Sequence, residues 1–354
     1  MIAPLLCALG LPAAFLLIGR MRTCPPAPAI VAPALSIVIP ARNEERNLPR
    51  LLMSLNSSRL RPAEVLVVDD GSTDNTASGA RALGAVVLRS NPLPPGWTGK
   101  TCACYQGARQ ASGELLLFLD ADTWFVSGGL ERLIASWAEM QDPTVVLSVL
   151  PWHEMPAGSE QLSLFFNFLM ASAGFTAFAQ PRLFGQSLLV TRELYAASGG
   201  HASVRGLVLE NLGLASALRR VGARLVCLSG AGTLHMRMFP EGFHQMFTGW
   251  AKGFAQGAAH SERVAVASSV MWISSLWSTV LFLLVPFNFG HAGLLAVYLL
   301  LGVQLAWLSR RLGNFHPLIS LFYPVPLVYF CAVFGVSAAR RAFGRKTRWR
   351  GRDV

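Results

Sequence analysis

At 354 residues the chain can hold one large domain or two ordinary ones. Hydrophobic residues make up 53% and charged residues 14%, with a mean hydropathy of +0.44, a balance that excludes a purely soluble enzyme and points to membrane-spanning segments. The net charge of +11 would admit a nucleic-acid partner, but no nucleic-acid module accompanies it, and much of the charge flanks apolar runs (Arg20, Arg22, Arg310, Arg311, and the tail from Arg340 to Arg352), where it sets orientation and touches anionic membrane lipid.

In chain order, residues 2–19 form one apolar run followed by Arg20 and Arg22. In a cleaved signal peptide the positive charge precedes the apolar stretch, so residues 1–22 read as an uncleaved transmembrane anchor with its N-terminus outside. Pro25-Pro26-Ala27-Pro28 then leads into a different texture. Short apolar runs at 35–39, 64–69, 85–89, 114–120 and 144–150 predict buried strands, and the stretches 44–56, 73–82, 101–111 and 129–138 predict helices between them. Such alternation gives an α/β fold with a mostly parallel sheet, whose ligands bind at the carboxyl ends of the strands.

Residues 162–179 are apolar and uncharged, but a span there would divide the proposed site between two faces of a membrane; a buried or interfacial helix is expected instead. Three further apolar segments, about 265–287, 292–308 and 316–338, approach spanning length. With an external N-terminus, three full spans would leave the arginine-rich tail outside, against the positive-inside tendency. Pro317, Pro324 and Pro326 make the last segment a candidate re-entrant one. The expected organisation is an anchor at 1–22, a cytoplasmic catalytic domain with interfacial helices at 30–262, transmembrane segments at 264–339 and a basic tail at 340–354. The six cysteines show no Cys-x-x-Cys pairing, which argues against a zinc site or a disulfide framework.

Two acidic motifs fall at strand ends. Asp69-Asp70-Gly71-Ser72-Thr73-Asp74 is good turn chemistry, and its carboxylates also suit a uridine pocket, where one accepts a hydrogen bond from the uracil imide. Asp120-Ala121-Asp122 ends a strongly apolar strand. Two carboxylates there suit Mg²⁺ or Mn²⁺, which share oxygen ligands with substrate phosphates and offset charge on a leaving nucleoside diphosphate.

Together, Ile39-Pro40-Ala41-Arg42-Asn43-Glu44, the Asp69–Asp74 run and Asp120-Ala121-Asp122 resemble the family 2 glycosyltransferases with the GT-A (Rossmann-like) fold. Gly96-Trp97-Thr98-Gly99-Lys100, Gly199-Gly200-His201, Gly249-Trp250-Ala251-Lys252 and Arg310-Arg311-Leu312-Gly313 follow in order, and resemble a membrane branch of that family that glucosylates carotenoid carboxylates. The resemblance implies a GT-A domain inserted between an N-terminal transmembrane helix and C-terminal transmembrane segments, in a multi-pass protein of the cell membrane. It implies a UDP-sugar donor and a lipophilic, carotenoid-like acceptor, or else another isoprenoid or glycolipid. Pro40, Ala41, Glu44 and Asp70 would line the nucleoside site; Asp120 and Asp122 would hold the diphosphate and its metal. Lys100 is either a donor contact or an exposed loop lysine. Glu210 stands where many members carry an acidic pair whose second acid is the base, but here Asn211 takes that second place. Glu210 is therefore the candidate base, or a helix-entry carboxylate near the macrodipole. Trp250 would pack on a sugar or anchor at the interface, and the Gln-x-x-Arg-Trp motif of processive relatives is absent from 245–250. Nucleotidyl or phosphoryl transfer, and a non-catalytic membrane scaffold, are the competing classes.

Overall fold

The computed structural model describes residues 2–26, 33–177, 180–207, 209–259, 263–285, 291–342, 348–349 and 352–353. Residues 27–32 of the expected linker and most of the basic tail lie outside that set. The chain forms two compact units.

One unit comprises Arg22–Trp152 and Pro181–Arg237. Its strands are β1 (Leu35–Ala41), β2 (Glu64–Asp69), β3 (Val86–Arg89), β4 (Leu115–Leu119), β5 (Thr123–Phe125), β6 (Val145–Leu150), β7 (Trp152–His153, at the unit's edge), β8 (Ser187–Thr191), β9 (Arg224–Ser229) and β10 (Leu234–Met236). Seven of them build one sheet in the order β3-β2-β1-β4-β8-β6-β9. All neighbours are parallel except β8, which runs antiparallel to both β4 and β6. β4 is buried along its whole length, which explains why Leu115–Leu119 is apolar without alternation.

Both faces of this sheet are covered. On one, Ile37, Ile39 and Leu117 pack with Leu48, Leu51, Leu52 and Leu55 of the Leu48–Asn56 helix and with Leu130, Leu133 and Ile134 of the Gly129–Ala138 helix. On the other, Val38, Leu66, Val68 and Phe118 meet Ala103, Cys104 and Ala108 of the Gly99–Gln110 helix and Leu214, Ala215 and Leu218 of the Glu210–Arg220 helix. Gly107 sets that second approach: a Cβ there would lie 2.4 Å from Val38 Cγ1 and 2.9 Å from Val68 Cγ2. The polar ends of β1, β2 and β4 thus emerge from two apolar layers at one edge.

The other unit comprises Met1–Met21, His153–Gln180 and Met238–Val354. The first apolar run is broken into two helices, Ile2–Ala8 and Gly10–Ile18. Residues 164–175 of the second apolar stretch form a twelve-residue helix, most of it buried. Arg263–Leu284 (22 residues) and His291–Ser309 (19 residues) are long and apolar enough to cross a membrane. The third C-terminal segment is not one continuous rod, because Pro317–Leu321 is a separate short turn of helix before Pro324–Ala342. Two buried polar side chains of this unit donate to backbone carbonyls: Ser275 Oγ to Cys7 O, and Gln304 Nε2 to Leu11 O at 2.7 Å.

Candidate active site

The loops after β1 and β2 are built from each other. Asn43 sits in the left-handed region at φ 54°, which asparagine tolerates because its short amide bonds locally. Its Oδ1 accepts from Thr73 N at 2.8 Å, and its own N–H donates to Ser72 Oγ at 3.0 Å. Glu44 N donates to Thr76 Oγ1 at 2.8 Å, and Glu45 N to Asp74 Oδ2 at 3.2 Å. Gly71, at φ 69°, makes the turn, and Asp69 Oδ1 accepts from Ser72 N at 3.0 Å. Much of the Asp69–Thr76 motif therefore latches two loops together. Asp70 faces Arg42, with Oδ2 3.7 Å from Nη1. Parallel pairing of β1 with β2 puts Ala41 level with Asp69, so Pro40, Ala41 and Asp70 share one edge, with buried Glu44 just beyond.

The second cluster forms where β4 ends. Thr98 caps the Gly99–Gln110 helix through its hydroxyl, which places Lys100 in the first turn. The Lys100 ammonium reaches Asp120 Oδ1 at 2.7 Å, Gly185 O at 3.0 Å and Glu210 Oε1 at 3.2 Å. Burial alone would lower the pKa of this ammonium, but the two carboxylates override it and hold it above the ordinary lysine range. A cavity here is lined by Pro40, Lys100, Asp120, Gly185, His201 and Glu210, among others. Sequence-predicted residues far apart in the chain are thus brought to one place: Pro40, Lys100, Asp120 and Glu210 share the cavity wall.

Asp122 bears on whether these residues fit a metal. Its Oδ1 is buried and has no hydrogen-bond partner among the described residues. Burial, then the neighbouring Asp120 and Glu44 charges, push its pKa up to about 7. A carboxylate oxygen left in this condition fits a bound cation. No cluster of three or more His, Cys, Asp or Glu side chains suited to a metal occurs among the described residues, so a metal here would take its remaining ligands from water or substrate.

Several contributors were not evident in the sequence. Gly185 acts through its carbonyl, which carries no side-chain signature. Its loop is pinned by Ser148, whose Oγ accepts from Phe184 N at 2.8 Å and donates to Ser187 O at 2.8 Å. Asn211 Nδ2 donates to Leu183 O at 2.6 Å. An ionised aspartate could not make that bond, since both partners would be acceptors. The amide at position 211 therefore has a structural reason of its own. His201 packs its ring on Phe118 and pairs through Nδ1 with Tyr195 Oη at 2.8 Å; burial, then Lys100, depress its pKa to about 3. Trp250 belongs to the other unit. Its ring stacks on Phe166, with centroids 4.8 Å apart, and its Nε1 donates to Ser163 Oγ at 3.1 Å. With the indole only 7% exposed, its binding surface is already taken by its own unit.

A sequence profile described as Glycosyl transferase family 2 matches residues 36–189. The chain is 32% identical over 331 residues to the 4,4'-diaponeurosporenoate glycosyltransferase of Staphylococcus aureus strain MRSA252, covering 90% of this chain and 88% of that one. It is 31% identical over the same coverage to the protein of that name from strain USA300. Among solved structures, a mannosyltransferase from Pyrobaculum calidifontis in complex with GDP-Man and Mn²⁺ superposes with a TM-score of 0.56 at 17% identity, covering 97% of this chain and 96% of that one.

Proposed function

The chain belongs to the family 2 glycosyltransferases, and from that premise we propose that it transfers glucose from UDP-glucose, with inversion, to a lipophilic carotenoid-like carboxylate at a membrane. The observation that carries the reading is the Lys100–Asp120–Glu210 cluster at the end of β4, beside an Asp122 oxygen with no partner. The names of the two staphylococcal relatives support the acceptor class.

Pro40, Ala41, Glu44 and Asp70 are assigned to the nucleoside. Asp70 accepts a hydrogen bond from the uracil imide N–H, with Arg42 holding its carboxylate in place. Asp120 and Asp122 would hold Mg²⁺ or Mn²⁺, which supplies positive charge to the leaving diphosphate. The chain's own work is to align the acceptor with the anomeric carbon. The acceptor oxygen bonds to that carbon from one face while the bond to the diphosphate oxygen breaks on the other, and UDP leaves with the electron pair. An alcohol acceptor must lose its proton in that step. A carboxylic acid, with pKa about 4–5, is already ionised and needs no base. Glu210 Oε1 is already engaged by Lys100 at 3.2 Å, and Asn211 adds no second acid. Both features suit an ionised acceptor, for which Glu210 serves to position Lys100.

The membrane assignment rests on Arg263–Leu284 and His291–Ser309, with residues 264–339 as the spanning region, 1–22 as a further anchor and 30–262 as the cytoplasmic catalytic domain. Trp250 is assigned to organising the interfacial helices through Phe166 and Ser163 rather than to stacking on a sugar.

The test is transfer by the full chain in detergent, with a carotenoid acid and radiolabelled UDP-glucose, followed by mass analysis of the lipid extract. A hexose ester on the carotenoid is the expected product. Transfer of phosphate or nucleotide would overturn the glycosyl reading. Sugar only on other lipids would overturn the acceptor. GDP-mannose is the comparison donor, because guanine also offers N–H groups to a carboxylate. Glu210→Gln should retain activity on the carboxylate acceptor, and its complete loss there would restore Glu210 as an essential base.

A further inference from the structure

An ammonium has three N–H donors, and all three of Lys100's are engaged: Asp120 Oδ1 at 2.7 Å, Gly185 O at 3.0 Å and Glu210 Oε1 at 3.2 Å. With its donors saturated, Lys100 cannot grip a diphosphate without releasing one of these partners. The shortest contact is to Asp120, the carboxylate that pairs with Asp122 in the Asp120-Ala121-Asp122 motif. That pair is unevenly served, since Asp120 has the cation while Asp122 Oδ1 has no partner among the described residues. A divalent cation that uses both carboxylates must compete with Lys100 for the first.

We propose that Lys100 is the resident counter-cation of the site, holding Asp120 until a divalent cation replaces it, so that cation and nucleoside diphosphate bind in a coupled way through one movable lysine. This rests on the metal–nucleotide reading above. When the cation takes Asp120, the ammonium is freed toward the diphosphate while Glu210 and Gly185 remain within its reach. The side chain is half-buried, with solvent on one side to move into. Coupling is reciprocal: if the nucleotide recruits Lys100 away from Asp120, it strengthens the cation by the same factor. A direct metal–phosphate contact also produces coupling, so the distinguishing quantity is cation affinity in the absence of nucleotide.

The experiment titrates Mn²⁺ into the full-length chain in detergent, following free Mn²⁺ by electron paramagnetic resonance, with and without UDP. The chains compared are wild type, Lys100→Met, and Lys100→Gln as a second neutral side chain. Without UDP both variants should bind Mn²⁺ about tenfold more tightly than wild type, within the usual range for coupled sites. Their gain in Mn²⁺ affinity on adding UDP should be correspondingly smaller. In the wild type itself, saturating Mn²⁺ alone should raise the rate of reductive methylation at Lys100, because the displaced ammonium is no longer held by Asp120. Unchanged or weaker Mn²⁺ binding in folded variants overturns the proposal, as does unchanged Lys100 reactivity in a Mn²⁺-saturated wild type. If no chain takes up Mn²⁺ even with UDP, the metal–nucleotide reading falls and carries this inference with it; if wild type needs UDP but the variants gain nothing without it, only the Lys100 proposal falls.

Discussion

Asp122, with one buried carboxylate oxygen, and the buried His201 lie near the site, and the protonation of each bears on stability. A buried carboxylate oxygen without a partner is an energetic liability in the free protein. Asp122→Asn removes that charge, so the variant should melt at a higher temperature while glycosyl transfer falls by about 10²–10³-fold, the scale seen when one electrostatic group of a reaction site is lost. Scanning calorimetry and UDP release check the two halves, and a variant both less stable and fully active would contradict the assignment. His201 is buried as the neutral ring, its pKa depressed to about 3 by burial and then by Lys100. In the unfolded chain its pKa is about 6.5. The unfolded state therefore binds more protons between those values, and the stability contribution present above pH 6.5 is lost as pH falls toward about 3. The wild type should lose melting temperature steadily from pH 7 to pH 5, and His201→Gln should show a shallower slope, even if it starts lower through loss of the Tyr195 contact. Parallel slopes would show that other groups carry the acid sensitivity.

At the scale of elements, the Gly99–Gln110 helix positions Lys100, and Gly107 determines how near that helix lies to β1 and β2. Gly107→Val would drive methyl groups into Val38 and Val68, so the helix must shift or the site must strain. Overpacking of this kind costs about 1–3 kcal/mol. Urea unfolding should show that loss, and UDP affinity should fall with it although residue 107 touches no ligand; unchanged affinity would mean Lys100 is not placed by this helix. The strand pattern of the first half was legible because fully buried strands are continuous apolar runs: 64–69 is the predicted span, and 35–39, 85–89, 114–120 and 144–150 shift by a residue or two. Helix starts were less legible. Expected from 44 and 73, they begin at Leu48 and Thr76, because Asn43, Glu44, Glu45 and Thr73 through Asn75 are held in the latch between the two loops. β8 and β9 went unread, since Ser187–Thr191 and Arg224–Ser229 are short runs whose pairing is decided by partners far away in sequence. The same limit applied to the site. Its carboxylates and lysine were visible as residue types, whereas the Gly185 carbonyl and the Asn211 bond to Leu183 O exist only once β8 lies beside β4.

For the molecule as a whole, composition argued for a membrane before any element was placed, and the unit that carries the long apolar helices gives this a testable form. Along His291–Ser309 the buried residues include Leu294, Leu301, Leu305 and Leu308, while Leu295, Leu299, Leu300 and Val303 are exposed. This helix is apolar on both its packed and its open sides and is long enough to cross a membrane, and in water the open side would be costly. Gln304 is buried on the packed side, where its Nε2 donates to Leu11 O at 2.7 Å. Val303, about one turn past the helix midpoint, is 67% exposed on the open face. Replacing it with arginine should cost about 2.5–3.5 kcal/mol of insertion free energy at a helix centre. The wild-type chain is therefore expected to stay with membranes after alkaline carbonate washing, and Val303→Arg to shift a measurable fraction into the supernatant or into degradation. The charge-conserving Arg59→Lys, on the other unit's exposed surface, should change nothing, since that position already carries charge in water. Release of the wild type by carbonate would remove the spanning assignment altogether. A Val303→Arg chain retained as firmly as wild type would instead place this face against protein or water, and the acceptor would then have to reach the reaction site by a route other than the bilayer.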